Sequence, residues 1–215
     1  MIRHTPRERV IAVGLAGLAG YVDAIGFLQL GGYFVSFMTG NSTRMSVELA
    51  ENLGLGLMPA ALIALFVMGV ITGSLAGHFS GQRRPMVVSA LVFLLLLGAA
   101  ASQHVGVVSL AIVAMALAMG AENAVFERDG EVTIGLTYMT GTLVKLGQRI
   151  TAALLGGDRW AWVWYFMLWV GLVTGAILGA ATYGWIGLSS LWAAAAAAGF
   201  LTAIIGFGMR GRAGL

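Results

Sequence analysis

The sequence predicts an all-α integral membrane protein whose six transmembrane helices form a 3+3 inverted repeat, with a broken or re-entrant segment after helices one and four. Three observations carry this. Apolar residues make up 59% of the 215 and charged residues 10%, against roughly 25% charged in a soluble domain, so most of the surface cannot face water. The apolar residues gather in runs of about 20, the length at which a helix rising 1.5 Å per residue crosses a hydrocarbon layer about 30 Å thick. The chain also repeats itself about one hundred residues on. Met38-Thr39-Gly40-Asn41 returns as Met139-Thr140-Gly141-Thr142, and Gly69, Thr72, Gly73 and Gly77 return as Gly171, Thr174, Gly175 and Gly179. Gly20-Tyr21-Val22-Asp23-Ala24 stands opposite Gly120-Ala121-Glu122-Asn123-Ala124 in the same order.

The first run, Val10 to Leu30, follows Arg3, Arg7 and Arg9. Basic residues before an apolar stretch also describe a secretory signal peptide, but the internal counterpart Val105 to Phe126 marks this run as a retained structural helix. Gly31 to Leu53 comes next. Its Tyr33-Phe34-Val35-Ser36-Phe37 is too apolar for an ordinary loop, while Arg44, Glu48 and Glu51 make it too polar to span, so a dipping or broken helix is expected. Irregular backbone at membrane depth requires burial in protein or a wet cavity. Leu55 to Gly77 and Met86 to Ser102 supply crossings two and three, and Val105 to Phe126 the fourth. Gly130 to Leu154 then repeats the dipping pattern, with Val132 to Tyr138 ahead of Lys145 and Arg149. From Trp160 to Met209 the chain is free of charge and too long for one crossing. A turn around Tyr183 to Gly187 divides it into Trp160 to Ala181 and Ile186 to Met209.

With the N-terminus inside, Arg3, Arg7, Arg9, Arg83, Arg84, Arg128, Lys145, Arg149, Arg159, Arg210 and Arg212 all fall on the cytoplasmic side. Only Arg44 of the 12 basic residues is left outside. The excess of Lys and Arg in cytoplasmic loops therefore predicts both termini in the cytoplasm. Residues 1–104 and 105–215 are the two halves, and three crossings in each force the second to enter from the opposite face. A net charge of +3 would suggest nucleic acid in a soluble protein, but here the basic residues flank apolar runs and report topology. No nucleic-acid partner is expected.

Gly20 to Phe27, Met38-Thr39-Gly40-Asn41, Asn123-Ala124-Val125-Phe126 and Tyr138-Met139-Thr140-Gly141-Thr142 together resemble the YoaK-type bacterial membrane proteins, a family classed by an uncharacterised domain. The resemblance spans nearly the whole chain and implies a six-helix protein of the bacterial inner membrane. Glu122 departs from it, standing where glutamine is expected and adding an acid.

Candidate functional residues are those a bilayer makes expensive. Asp23 lies within the first helix and Glu122 within the fourth, with Asn123 the repeat partner of Asp23. A charge near mid-membrane costs at least about 2.5 to 3.5 kcal/mol, so it normally faces the bundle interior or a wet cavity. Each acid fits a proton carrier, a ligand for a cation, or a hydrogen-bonded bolt between helices, and Glu122 is near enough to its helix end to reach the cytoplasm. Thr39, Gly40 and Asn41, with Thr140, Gly141 and Thr142, fit a break in the backbone that offers hydroxyls to a passing solute, or a capped turn without one. Gly69, Gly73 and Gly77, like Gly171, Gly175 and Gly179, step by four and align on one helix face, where they admit a second helix. Thr72 and Thr174 are placed to bond across that contact. Trp160, Trp162 and Trp164 suit an interfacial aromatic belt.

Cysteine is absent, which excludes disulfides, thiolate sites and cysteine nucleophiles, and His4, His78 and His104 are dispersed. No metal or cofactor is expected. Signatures of zinc hydrolases, serine hydrolases and nucleotide-binding loops are missing, so no enzyme is predicted. The reading is a small secondary transporter or channel, cation- or proton-linked, with its pathway at the repeat interface. The alternative is a non-transporting membrane scaffold or sensor. A 3+3 unit also matches half of a major-facilitator transporter, which makes a homodimer an expectation by analogy.

Overall fold

The computed structural model describes residues 5–128 and 130–210. Arg3, His4 and Arg212, used above for orientation and metal binding, lie outside the described residues. Among the described residues the regular structure is helical but for one two-stranded hairpin. Its helices are α1 (Pro6–Gln29), α2 (Met38–Glu51), α3 (Leu57–Ser80), α4 (Arg84–His104), α5 (Val108–Glu122), α6 (Met139–Leu154), α7 (Val163–Ile186) and α8 (Leu191–Arg210). The strands β1 (Glu127–Arg128) and β2 (Glu131–Val132) pair antiparallel between α5 and α6.

Among the described residues, four stretches are long and apolar enough to cross a membrane: Pro6–Gln29, Leu57–His104, Val108–Phe126 and Val163–Met209. The second and fourth run to 48 and 47 residues, about twice a single crossing. Each is divided by a tight turn, at Gly81 (φ 53°) and at Gly187 (φ 56°), a left-handed conformation that only glycine adopts without strain. The second of these turns corrects the sequence reading. α7 runs on to Ile186, and α8 starts at Leu191 after one turn of 3-10 helix, not at Ile186. An uncharged stretch carries no other punctuation, so the left-handed glycine alone sets the break. At the other end of the chain, Thr5 and Glu8 close a reciprocal capping box on α1: the Glu8 amide donates to the Thr5 hydroxyl at 3.2 Å and the Thr5 amide to the Glu8 carboxylate at 2.8 Å.

The glycine ladders set the packing. On α7, a Cβ added at Gly175 would fall on the carbonyl oxygen of Gly17, and at Gly179 on that of Tyr21. Gly171 meets Val13 in the same way, and Gly20 of α1 answers against the Leu172 carbonyl. On α3, Gly69 touches the Leu117 carbonyl and Gly73 the backbone of Ala121, while Gly120 of α5 answers against Phe66. Residue numbers rise together along both contacts, so α1 and α7 run parallel, as do α3 and α5. The first helix of each half therefore seats on the glycine ladder of the other half. Gly77 departs from the expected pattern, since it faces the side chain of Arg84 and not α5.

In lipid no hydrophobic force separates helix from tail, so contacts of this kind rest on close van der Waals packing. Thr72 and Thr174 take no part in them. Both are exposed, and the Thr72 hydroxyl donates to Gly69 of its own helix at 2.9 Å. α1 and α7 are further tied where Tyr21 meets Thr182 at 2.7 Å and where Tyr183 donates to Gln29 at 2.8 Å. Val67, Met68, Ile71, Leu94, Ile177 and Phe200 stay exposed. An outward apolar surface of this extent suits contact with the bilayer.

Gly73→Leu and Gly175→Leu are each expected to abolish most folded protein by size exclusion, because a branched side chain must displace backbone. Gly184→Leu, whose Cβ meets open space, serves as the tolerated control. Normal yield and melting temperature for both ladder variants would mean that the ladders do not hold helices together.

Candidate functional site

After α1 the chain turns back along it. Asp23 lies six residues before the helix end and is 3% exposed. Its Oδ1 accepts the amides of Val35 at 2.9 Å and Ser36 at 2.6 Å. At 1.5 Å per residue, the returning segment reaches about 9 Å down the side of α1 before α2 begins. Buried amides with no ladder partner must find an acceptor, and Asp23 is that acceptor. Asn41 completes the anchor: its Oδ1 accepts the Phe34 amide at 2.9 Å and its Nδ2 donates to the Phe34 carbonyl at 2.7 Å.

The second half repeats the device with different chemistry. Asn123 accepts the Thr137 hydroxyl at 3.1 Å and donates to the Met119 carbonyl at 3.0 Å. Thr133 caps the Phe126 carbonyl with both its amide, at 3.1 Å, and its hydroxyl, at 2.6 Å. Asp23 and Asn123 are thus both bolts between a helix and the segment returning beside it.

The two returning segments deliver α2 and α6 to one cavity of about 380 Å³. Ser36, Thr39, Thr137, Thr140 and Gly141 give its polar lining, while Phe37, Met38, Phe66, Tyr138 and Met139 give the apolar wall. Both Met-Thr-Gly motifs reach this space at the first turn of their helices. The cap positions are Phe37 and Tyr138, and neither helix has a side-chain cap. Ser, Thr, Asp or Asn usually fills that position. The Met38, Gly40 and Met139 amides bond to nearby backbone carbonyls, so what both helices turn to the cavity is the positive partial charge of their first turn. The Ser36 hydroxyl is buried beside the Asp23 carboxylate, with which it interacts.

Not every predicted residue comes here. Asn41 is fully buried and occupied by Phe34, Gly40 packs against the Phe34 ring, and Thr142 lines a different cavity. Asp23, Asn123 and Glu122 are absent from the wall. Glu122 is wholly buried, not reaching toward the cytoplasm as its place near a helix end suggested, and among the described residues neither carboxyl oxygen has a partner. Its repeat position in the first half is the equally buried Val22. Phe66 was missed by sequence reasoning, for it sits mid-helix in an apolar run with no motif to mark it.

Asp23→Ala is expected to lower stability in detergent by about 1 to 3 kcal/mol, the cost of leaving buried amides unpaired. Asp23→Asn keeps an acceptor oxygen and should retain most of that stability. Equal losses from the two substitutions would show that the ionised carboxylate, beyond its oxygen, is needed.

Comparison with known proteins agrees with the membrane architecture. A family model described as "Protein of unknown function (DUF1275)" matches residues 11–204. The UPF0700 transmembrane protein RA0705 of Rhizobium meliloti (strain 1021) is 36% identical over 176 residues, covering 79% of this chain and 76% of the relative. The UPF0700 transmembrane protein YoaK of Bacillus subtilis (strain 168) is 30% identical over 145 residues, covering 63% of this chain and 64% of the relative. No solved structure matches. With its apolar helices and a family match along nearly its whole length, this chain is a transmembrane protein that belongs to the DUF1275 family.

Proposed function

We propose that the protein is a small secondary transporter or channel that moves a small solute through the cavity between the two Met-Thr-Gly motifs. The single observation that carries this is the cavity wall, to which both halves contribute a Met-Thr pair at the start of a helix that has no side-chain cap. Irregular backbone and helix ends at membrane depth are tolerated where they line a cavity, and half-helices meeting at the interface of a repeat are a recurring transporter site. In this reading the six long helices cross the bacterial inner membrane as a 3+3 inverted repeat, and α2 and α6 are re-entrant. Such a topology requires crossings one and five to be parallel, and likewise two and four. The contacts α1–α7 and α3–α5 meet that requirement. Both termini are cytoplasmic, no step of the mechanism is enzymatic, and a twelve-helix homodimer is the assembly a six-helix unit invites.

The wall also narrows the solute. Cation or proton linkage calls for an acid in the pathway, and neither Asp23 nor Glu122 lines the cavity. Two helix N-termini oppose a cation and favour a hydrogen-bond acceptor. Hydroxyls among aromatic and methionine side chains suit a small, uncharged or weakly anionic molecule.

Gly141 offers a direct test, because a Cβ there meets nothing within 4 Å. Gly141→Leu adds a branched side chain at the cavity wall from a Cβ that meets nothing, so the purified variant should fold and melt normally yet lose solute flux in liposomes. Flux equal to wild type, across panels of neutral, anionic and cationic solutes with and without a pH gradient, would leave the scaffold reading in place. Asp23→Asn with full flux and an unchanged pH profile would remove proton coupling through that residue.

Topology is tested separately in this cysteine-free chain. Single cysteines at Arg84 and Lys145 should label only from the cytoplasmic side, and those at Arg44 and His104 only from outside. External labelling at position 84 would end the inverted-repeat reading.

A further inference from the structure

A second cavity, of about 400 Å³, lies between β2, α6 and α7, and the proposed pathway does not use it. Its wall carries Lys145, Gln148 and Arg149 of α6, with Thr133, Thr142 and a single acid, Glu131. Lys145 and Arg149 sit four residues apart on one helix, where neighbouring like charges repel. Among the described residues, neither makes an ion pair or a side-chain hydrogen bond.

The other half shows what that arrangement lacks. At an offset of 101 the positions of Lys145 and Arg149 are held by Arg44 and Glu48. There the charges are opposite and paired. Arg44 lies 3.7 Å from the Glu48 carboxylate and 4.3 Å from the centre of the Tyr33 ring, and it donates to the Gly32 carbonyl. In the second half both positions are cationic, and among the described residues no carboxylate forms an ion pair with either. Trp164, which also lines the cavity, has Arg9 at 5.6 Å from its ring.

We propose that this cavity binds a phosphate group, held between Lys145 and Arg149 with Gln148 and Thr142 as further donors. A phosphate offers several acceptor oxygens and enough charge to serve two cations one helical turn apart, and a guanidinium matches it with paired N–H groups. The group arrives either on an anionic phospholipid or on a small soluble phosphate compound. Basic pockets between membrane helices take lipid headgroups in this way, and the exposed Leu143, Val144 and Ile150 of the same helix offer apolar surface for acyl chains.

The experiment compares wild type, K145Q/R149Q and R44Q, each first checked for folding by size exclusion. Native mass spectrometry counts bound phosphatidylglycerol and phosphatidylcholine, and melting temperature is followed with inorganic phosphate. Wild type and R44Q should retain phosphatidylglycerol about thirtyfold more tightly than K145Q/R149Q, from the loss of two surface cations, with phosphatidylcholine unaffected. Stabilisation by inorganic phosphate in wild type but not in K145Q/R149Q, without selective lipid retention, would assign the site to a soluble phosphate. Equal behaviour of wild type and K145Q/R149Q toward both probes overturns the proposal.

Discussion

Helices in this molecule touch backbone to backbone, and the rest of the structure depends on that contact. Where Gly175 meets the Gly17 carbonyl and Gly73 meets Ala121, no side chain stands between the helices. Lipid rewards only fit, so a surface without side chains can be held more closely than one filled with leucine. Because each ladder receives a helix from the opposite half, the halves are clasped together. The returning segments are then fixed in place on helices that cannot slide, and two helix starts from distant parts of the chain can share one cavity wall.

Fixing those segments takes polar chemistry, and the two halves solve the problem differently. Asp23 accepts two backbone amides, whereas Asn123 works through the Thr137 hydroxyl. The first uses an acid where the second does with an amide, which identifies the shared requirement as an acceptor oxygen at that depth. Glu122 meets no such requirement. It replaces a buried valine of the other half and has no partner among the described residues, a costly placement for any carboxyl group.

Much of this was legible in the sequence, for particular reasons. Glycines spaced four residues apart mark a helix face, so Gly69, Gly73, Gly171, Gly175 and Gly179 were recognisable as packing residues. Which helix they would receive was not, because spacing defines a face and says nothing about its partner. The burial of Asp23 followed from its place in an apolar run, but its ligands are backbone amides, which have no identity in a sequence. The start of α8 was misplaced because uncharged residues on both sides of Gly187 read alike. The cavity was half legible. Both Met-Thr-Gly motifs were visible, while Asn41 and Thr142 differ in role in a way that only the fold decides, and Phe66 carries no local signal at all.

The clasp between α1 and α7 also has a consequence in time. The carbonyls of Gly17 and Tyr21 are covered by Gly175 and Gly179, residues made some 160 positions later. At about 5 to 20 residues per second, that interval is roughly 8 to 30 seconds of synthesis. The ladder that receives α5 lies on α3, already made when α5 emerges, so that pair can close as soon as it is inserted. The helix that is made first is thus among the last to find its seat, and until then its glycine face must be covered by lipid or by the insertion machinery.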